Sequence, residues 1–212
     1  MVAIKAYFSQ LLPTDQLLME PIHAHKERRL NEIAALKVAI LTAARSLAKS
    51  EGWTKVSIRK IAREIKYTPP VIYEHFKNKE AILIELETFG FRQLRHALED
   101  AGDPSASPLS RLLSMSETYW DWTFEHKELY EVMFNLDGIR CSQPNTKALK
   151  ESGEPVIAVL QELHLFDTGI EELFFNWWAI MHGHVSLILS GQVHGMSHQL
   201  RGYMKAAINR LG

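Results

Sequence analysis

From Leu173 to Leu200 the chain contains no Asp, Glu, Lys or Arg. A stretch of that length without charge has to leave water, either in a bilayer or against other protein. Asn176, His182, His184 and Ser186 interrupt it near its middle, and such groups are costly in hydrocarbon. The stretch therefore reads as a helix buried between its own domain and a partner subunit, and no membrane partner is expected. Elsewhere apolar residues recur at spacings of three and four. Leu30, Ile33, Leu36, Ile40, Ala44 and Leu47 give one stripe on a helix over 27–50, which Gly52 closes. Short helices follow at 57–65 and from Thr68 to Phe76. A longer one, capped by Asn78, carries Ile82, Leu83, Leu86, Leu94 and Leu98 and ends before Gly102. Further helices are expected from Pro108, over 127–134, up to Leu163 with a disturbance at Gly153 and Pro155, and over 169–190 and 197–211. No strand alternation and no internal repeat is evident, so the fold class is all-α.

Composition narrows the chemistry. A 46% hydrophobic share is enough to bury a core. The one cysteine, Cys141, excludes an internal disulfide framework and suits a reducing compartment. The first residues hold only short apolar stretches and no secretory signal, so the expected location is the cytoplasm. Residues 26–95 carry 15 Lys and Arg against 8 Asp and Glu, and residues 96–212 carry 8 against 15. A basic third joined to an acidic remainder points to a polyanion as the partner of the first part.

That basic region holds two short helices separated by a tight turn, a shape that presents the second helix to a DNA major groove. Ser57 is placed to cap the first and Thr68 the second. Pro69 fits the first helical position, where its missing N–H is not needed, and Pro70 is tolerated in the same turn. Lys55, Arg59, Lys60, Arg63, Lys66, Lys77 and Lys79 surround this start, and Tyr67, Tyr73 and His75 add donors for phosphate oxygens. Pro69, Pro70, Val71 and Glu74 lie on the exposed first turns, with Arg59 a further candidate for base contact.

The run from Gly52 to Ile82 resembles the DNA-binding domain of the TetR/AcrR family in Gly52, Ser57, Ile61-Ala62, Thr68, Ile72-Tyr73, Phe76 and Lys79-Glu80-Ala81. The resemblance implies phosphate contacts from Ser57, Thr68, Tyr73, His75 and Lys79, and base contacts from Pro69, Pro70 and Val71. Two positions depart from the pattern: Lys66 stands where the family often has glycine, and Pro69-Pro70 replaces polar or small residues. If Lys66 is left-handed, it costs about 1 kcal/mol relative to glycine. The expected organisation is an arm or short extra helix over 1–25, a three-helix helix-turn-helix DNA-binding domain over 26–90, and a helical-bundle ligand-binding and dimerisation domain over 91–212.

The second domain is acidic and rich in aromatics. Trp178 to Gly183, with Trp178 and His182 four apart on one helical face, is similar to the Trp, His-Gly signature of the WHG class of C-terminal domains in that family. Phe124 to Phe134 looks like the same class. Tyr119, Trp120, Phe134, Phe174, Trp178 and His182 are the candidate ligand pocket, for a small apolar or amphipathic effector. Val185 and Ile188, with the stripe Leu200, Met204 and Ile208 on the last helix, are the candidate dimer interface.

The resemblance implies a repressor, a homodimer on double-stranded operator DNA, released by its effector. The alternative is a DNA-binding dimer whose second domain serves only dimerisation or protein docking. No enzyme activity, metal or cofactor is expected. No Gly-rich phosphate loop or nucleophile–base set is present. His182, His184, His194 and His198 lie near one another without a cysteine or carboxylate to complete a familiar ligand set.

Overall fold

The computed structural model describes residues 21–136, 138–139, 145–163 and 169–211, and within them it is helical, with no strand. The helices are α1 Pro21–Glu51, α2 Ile58–Glu64, α3 Pro69–Tyr73, α4 Lys79–Ala101, α5 Pro108–Glu125, α6 Lys127–Met133, α7 Thr146–Glu162, α8 Ile170–Leu189 and α9 Ser197–Ile208. A single 3-10 turn, Trp53–Lys55, follows α1.

The chain divides into two compact units. The first runs to Phe89 and takes in the stretch that begins at Glu131; the second holds Gly90–Tyr130 and the residues from the start of α7 onward. The split between Phe89 and Gly90 lies beside the expected boundary at residue 90, and residues 131–133, the end of α6, are grouped with the first unit. One helix, α4, begins in the first unit and finishes in the second without a break.

In the first unit, α1 is longer at its start than its stripe suggests. Residues 21–25, read as part of an arm, already belong to the helix; the remainder of that arm lies outside the described residues. Burial begins only at Ile40, continuing through Leu41, Ala44 and Ala48, whereas Leu30 and Ile33 are exposed. The apolar stripe is therefore continuous, but among the described residues only its second half is buried. Gly52 ends the helix at φ 82, a backbone conformation that glycine adopts without strain. Trp53, Ile58, Ile61, Ala62, Ile72 and Phe76 are buried, and α1, the 3-10 turn, α2 and α3 pack in succession.

The second unit is a bundle in which α5 packs against α7, α8 and α9, and α8 against α7 and α9. Leu112, Met115, Tyr119, Trp120, Val156, Leu160, Trp177 and Met181 are buried. Trp177 donates its indole N–H to Ser116 Oγ at 2.8 Å, and Ser116 passes its own proton to the Leu112 carbonyl at 2.7 Å, so no polar atom of that buried link is stranded. Despite Gly153 and Pro155, α7 is one uninterrupted helix. Gly153 admits Phe174 closely: a Cβ at that position would lie 2.5 Å from Phe174 Cζ, so the ring would have to shift.

The residues proposed for subunit contact have another role. Val185, Met204 and Ile208 are fully buried and Leu200 nearly so, all within this one chain, while Ile188 is half-buried. They are bundle core. An amphipathic stripe marks the face that must be covered, and here the chain's own α5 and α8 cover it. Among the described residues no helix is long and apolar enough to cross a membrane, and no three His, Cys, Asp or Glu side chains come together around a metal position.

Candidate nucleic-acid interface and effector groove

Two turns define the geometry of α2 and α3. Ser57 caps α2 by accepting from the Lys60 N–H at 3.3 Å. At the other end, Tyr67 N–H reaches the Ala62 carbonyl at 2.8 Å and Lys66 N–H the Arg63 carbonyl at 3.1 Å, the paired bonds of a Schellman ending. That ending places Lys66 at φ 60, the left-handed conformation its substitution for glycine had raised.

Thr68 occupies the N-cap position of α3, yet its side chain makes no capping bond. Pro69 and Pro70 have no N–H to offer, and the Val71 N–H is taken by the Thr68 carbonyl at 3.1 Å. The Thr68 hydroxyl is thereby left to solvent. Along α3 only Ile72 is buried; Pro70, Tyr73 and the following Glu74 are exposed, and Pro69, Val71 and His75 are half-buried. Tyr73 is 55% exposed. Ser57, Arg59 and Thr68 are exposed too. Each residue of the expected contact set is thus at least partly accessible, with one qualification. Lys79 donates from Nζ to the Trp53 carbonyl at 2.6 Å, and burial lowers its pKa. Its ammonium ties the start of α4 to the 3-10 turn.

In the second unit the candidate pocket residues separate into two groups. Tyr119, Tyr130, Trp178 and His182 form a polar chain inside the bundle. Tyr119 and Tyr130 hydroxyls are 2.9 Å apart, Tyr130 Oη is 2.6 Å from His182 Nδ1, and the Trp178 side chain hydrogen-bonds Tyr119. An indole N–H only donates. Trp178 therefore donates to Tyr119, Tyr119 to Tyr130 and Tyr130 to His182, the one direction that leaves no hydroxyl proton unpartnered. This assigns His182 as neutral with its proton on Nε2. Burial raises the pKa of both tyrosines and lowers that of His182, so all three stay uncharged. Tyr130 was not among the sequence candidates; nothing in the order of residues shows that positions 119, 130 and 182 meet.

The second group lines a groove. Between α7 and α8 lies a cavity of about 310 Å³ walled by Leu149, Ile157, Ile170, Phe174, Phe175 and Trp178, with Thr146, Lys150 and Glu171 among its polar atoms. Of the six pocket candidates, only Phe174 and Trp178 reach it. Tyr119 and Trp120 are core, His182 closes the polar chain, and Phe134 falls in the first compact unit. Large aromatics are buried in the bundle centre, and this groove lies at its flank.

The exposed large hydrophobics of the second unit, Phe175, Leu187, Met196 and Tyr203, all lie on α8, α9 or the turn between them. Beside them Ala179, Gly183, Gly202 and Ala206 are also exposed, and a Cβ built at Gly183 or Gly202 meets nothing within 4 Å. The outer faces of these two helices are apolar, shallow and uncovered.

Comparison with known proteins assigns the two ends of the chain to two family models. Residues 40–86 match a family model described as bacterial regulatory proteins, tetR family, and residues 112–211 match one described as Tetracyclin repressor-like, C-terminal domain. The HTH-type transcriptional regulator YobS of Bacillus subtilis (strain 168) is 29% identical over 92 residues, 43% of this chain and 48% of that protein. The chain thus spans about half the length of that relative. A solved protein from Rhodococcus sp. RHA1, titled as having unknown function, superposes with a TM-score of 0.70 at 22% identity, over 83% of this chain and 93% of the other. PfmR from Thermus thermophilus, a TetR family transcriptional regulator, does so with a TM-score of 0.60 at 18% identity, over 80% and 97%. At those identities the likeness concerns the fold.

Proposed function

We propose, from the premise that the chain belongs to the TetR family of transcriptional regulators, that it is a cytoplasmic homodimeric repressor released from its operator by a small apolar or amphipathic molecule. The observation that carries the reading is α3, which buries Ile72, leaves Pro70, Tyr73 and the following Glu74 exposed, and packs on α2, the helix of Arg59, Lys60 and Arg63. Thr68, Tyr73 and Ser57 hold the phosphate backbone, and Pro69, Pro70 and Val71 meet base edges and thymine methyls.

Two copies pair through the outer faces of α8 and α9, where Ala179, Gly183, Gly202 and Ala206 allow close approach and Leu187 and Tyr203 supply apolar area. A twofold dimer places two α3 helices in successive major grooves of a two-part operator. The effector occupies the α7–α8 groove, whose size lies at the low end of ligand sites. The filled bundle centre favours a second reading, in which α7–α9 serve dimerisation or protein docking and no small molecule is bound. Titration of candidate compounds against Trp fluorescence separates the two, since Trp178 borders the groove.

Selection of bound sequences from random DNA tests the main reading. The expected product is a two-part site with half-sites one helical turn or a multiple apart. Tyr73→Ala should weaken binding to every sequence, specific or not, by about tenfold, the value of one hydrogen bond to a charged group. Enrichment of no sequence, or a Tyr73→Ala variant with wild-type affinity, overturns the docking.

A further inference from the structure

We propose that Arg95 is the positioning residue through which α7 sets the placement of α4, and with it the operator affinity of α3. The inference rests on the regulator reading above and adds a part that reading does not supply.

It starts from Pro155. A proline inside a helix has no N–H, so the carbonyl four residues earlier loses its helical donor. In α7 that carbonyl belongs to Glu151. Arg95, on α4, donates to it from Nη1 at 3.1 Å and to Glu154 Oε2 from the same nitrogen at 2.7 Å. Its Nε donates to Glu99 Oε1, one turn further along α4, at 2.8 Å. One planar guanidinium is therefore held by α4 on one side and fills the gap in α7 on the other. The side chain is 32% exposed. An ion pair at such a site contributes little by itself; the bond to a carbonyl that no backbone donor can serve is what makes this position unlike a surface salt bridge.

The location gives the clamp its consequence. α4 is the unbroken helix that starts beside the DNA-facing turn, where Asn78 caps it through the Ala81 N–H at 2.9 Å, and ends in the bundle. α7 carries Leu149, Lys150 and Ile157 on the groove, and at about 100° per residue Glu151 and Glu154 lie roughly a quarter-turn round the same helix. A displacement of α7 from the groove side is passed to α4 through Arg95.

The test is a double-mutant cycle in the full chain with three single variants and the Arg95→Ala/Pro155→Ala double variant. Arg95→Ala removes the clamp. Arg95→Lys keeps the charge without the fork that spans three acceptors. Pro155→Ala restores the N–H that serves Glu151. Affinity for a DNA sequence selected by the wild-type protein is measured well below the unfolding temperature, beside thermal unfolding. Arg95→Ala should change affinity by about fivefold or more. Arg95→Lys should rescue little of it, Pro155→Ala should shift affinity the same way by less, and Arg95→Ala should matter less in the Pro155→Ala background. A lowered melting temperature with affinity inside twofold makes Arg95 merely structural and overturns the proposal. A second readout needs no DNA: spin labels at Glu74→Cys, in a Cys141→Ser background, report the distance between the two α3 ends of a dimer. A broadened distribution in Arg95→Ala supports the clamp, and an unchanged one overturns it. Should the wild-type protein select no sequence, the regulator reading fails, and the spin-label distances alone decide the clamp.

Discussion

Lys66 is the residue of the helix-turn-helix that takes a left-handed backbone conformation without being glycine. It sits at φ 60 between α2 and α3, where the Schellman ending of α2 fixes it. A residue with a Cβ costs roughly 1–2 kcal/mol in that region. Glycine removes the cost, but its freer unfolded chain returns about 0.4–1 kcal/mol. Lys66→Gly should therefore stabilise the protein by about 0.5–1 kcal/mol. For a chain of this length each kcal/mol moves the melting temperature by about 2–4 °C, so a rise of about 1–4 °C is expected in calorimetry or circular dichroism. Lys66→Ala is the control, because it removes the same exposed charge and keeps the Cβ. It should show no such rise. Equal melting temperatures for the two variants would refute the backbone argument and assign any change to charge.

Two further outcomes follow from the second unit. His182 has its pKa lowered by burial, so the unfolded chain binds the proton more readily near the ordinary value of 6.5. Stability is then full above that pH and falls as pH drops through it; melting from about pH 7.5 to about pH 5 should show a shallower decline in His182→Gln, and parallel curves would dismiss the role of His182. At the outer faces of α8 and α9, Leu187→Glu combined with Ala206→Glu should give a folded monomer by light scattering, whereas Met204→Glu should unfold the bundle. A dimer that survives the first pair places the interface elsewhere.

The helices were legible because spacing of three and four states which residues must be covered. What covers them was not. Leu200, Met204 and Ile208 form as good a stripe as any subunit contact, and only the packing of α9 on α5 and α8 shows that the chain buries them itself. Leu30 and Ile33 show the converse: they continue the stripe of Ile40 and Ala44 yet stand exposed. Pro155 reads as a disturbance of its helix, yet the helix runs through it, and the carbonyl that Pro155 leaves without a helical donor accepts from an arginine far earlier in the chain, Arg95. The candidate DNA-contact residues stand within one short run of sequence, whereas the Tyr119–Tyr130–His182 chain joins residues on three helices.

The thin attachment of α3 has a consequence for how such a scaffold diversifies. Since Ile72 is the one side chain of α3 that enters the core, Pro70, Val71, Tyr73 and Glu74 are open to replacement at small cost to folding. If α3 docks on DNA as proposed, a change of target sequence needs no new architecture, only a handful of codons in one short helix.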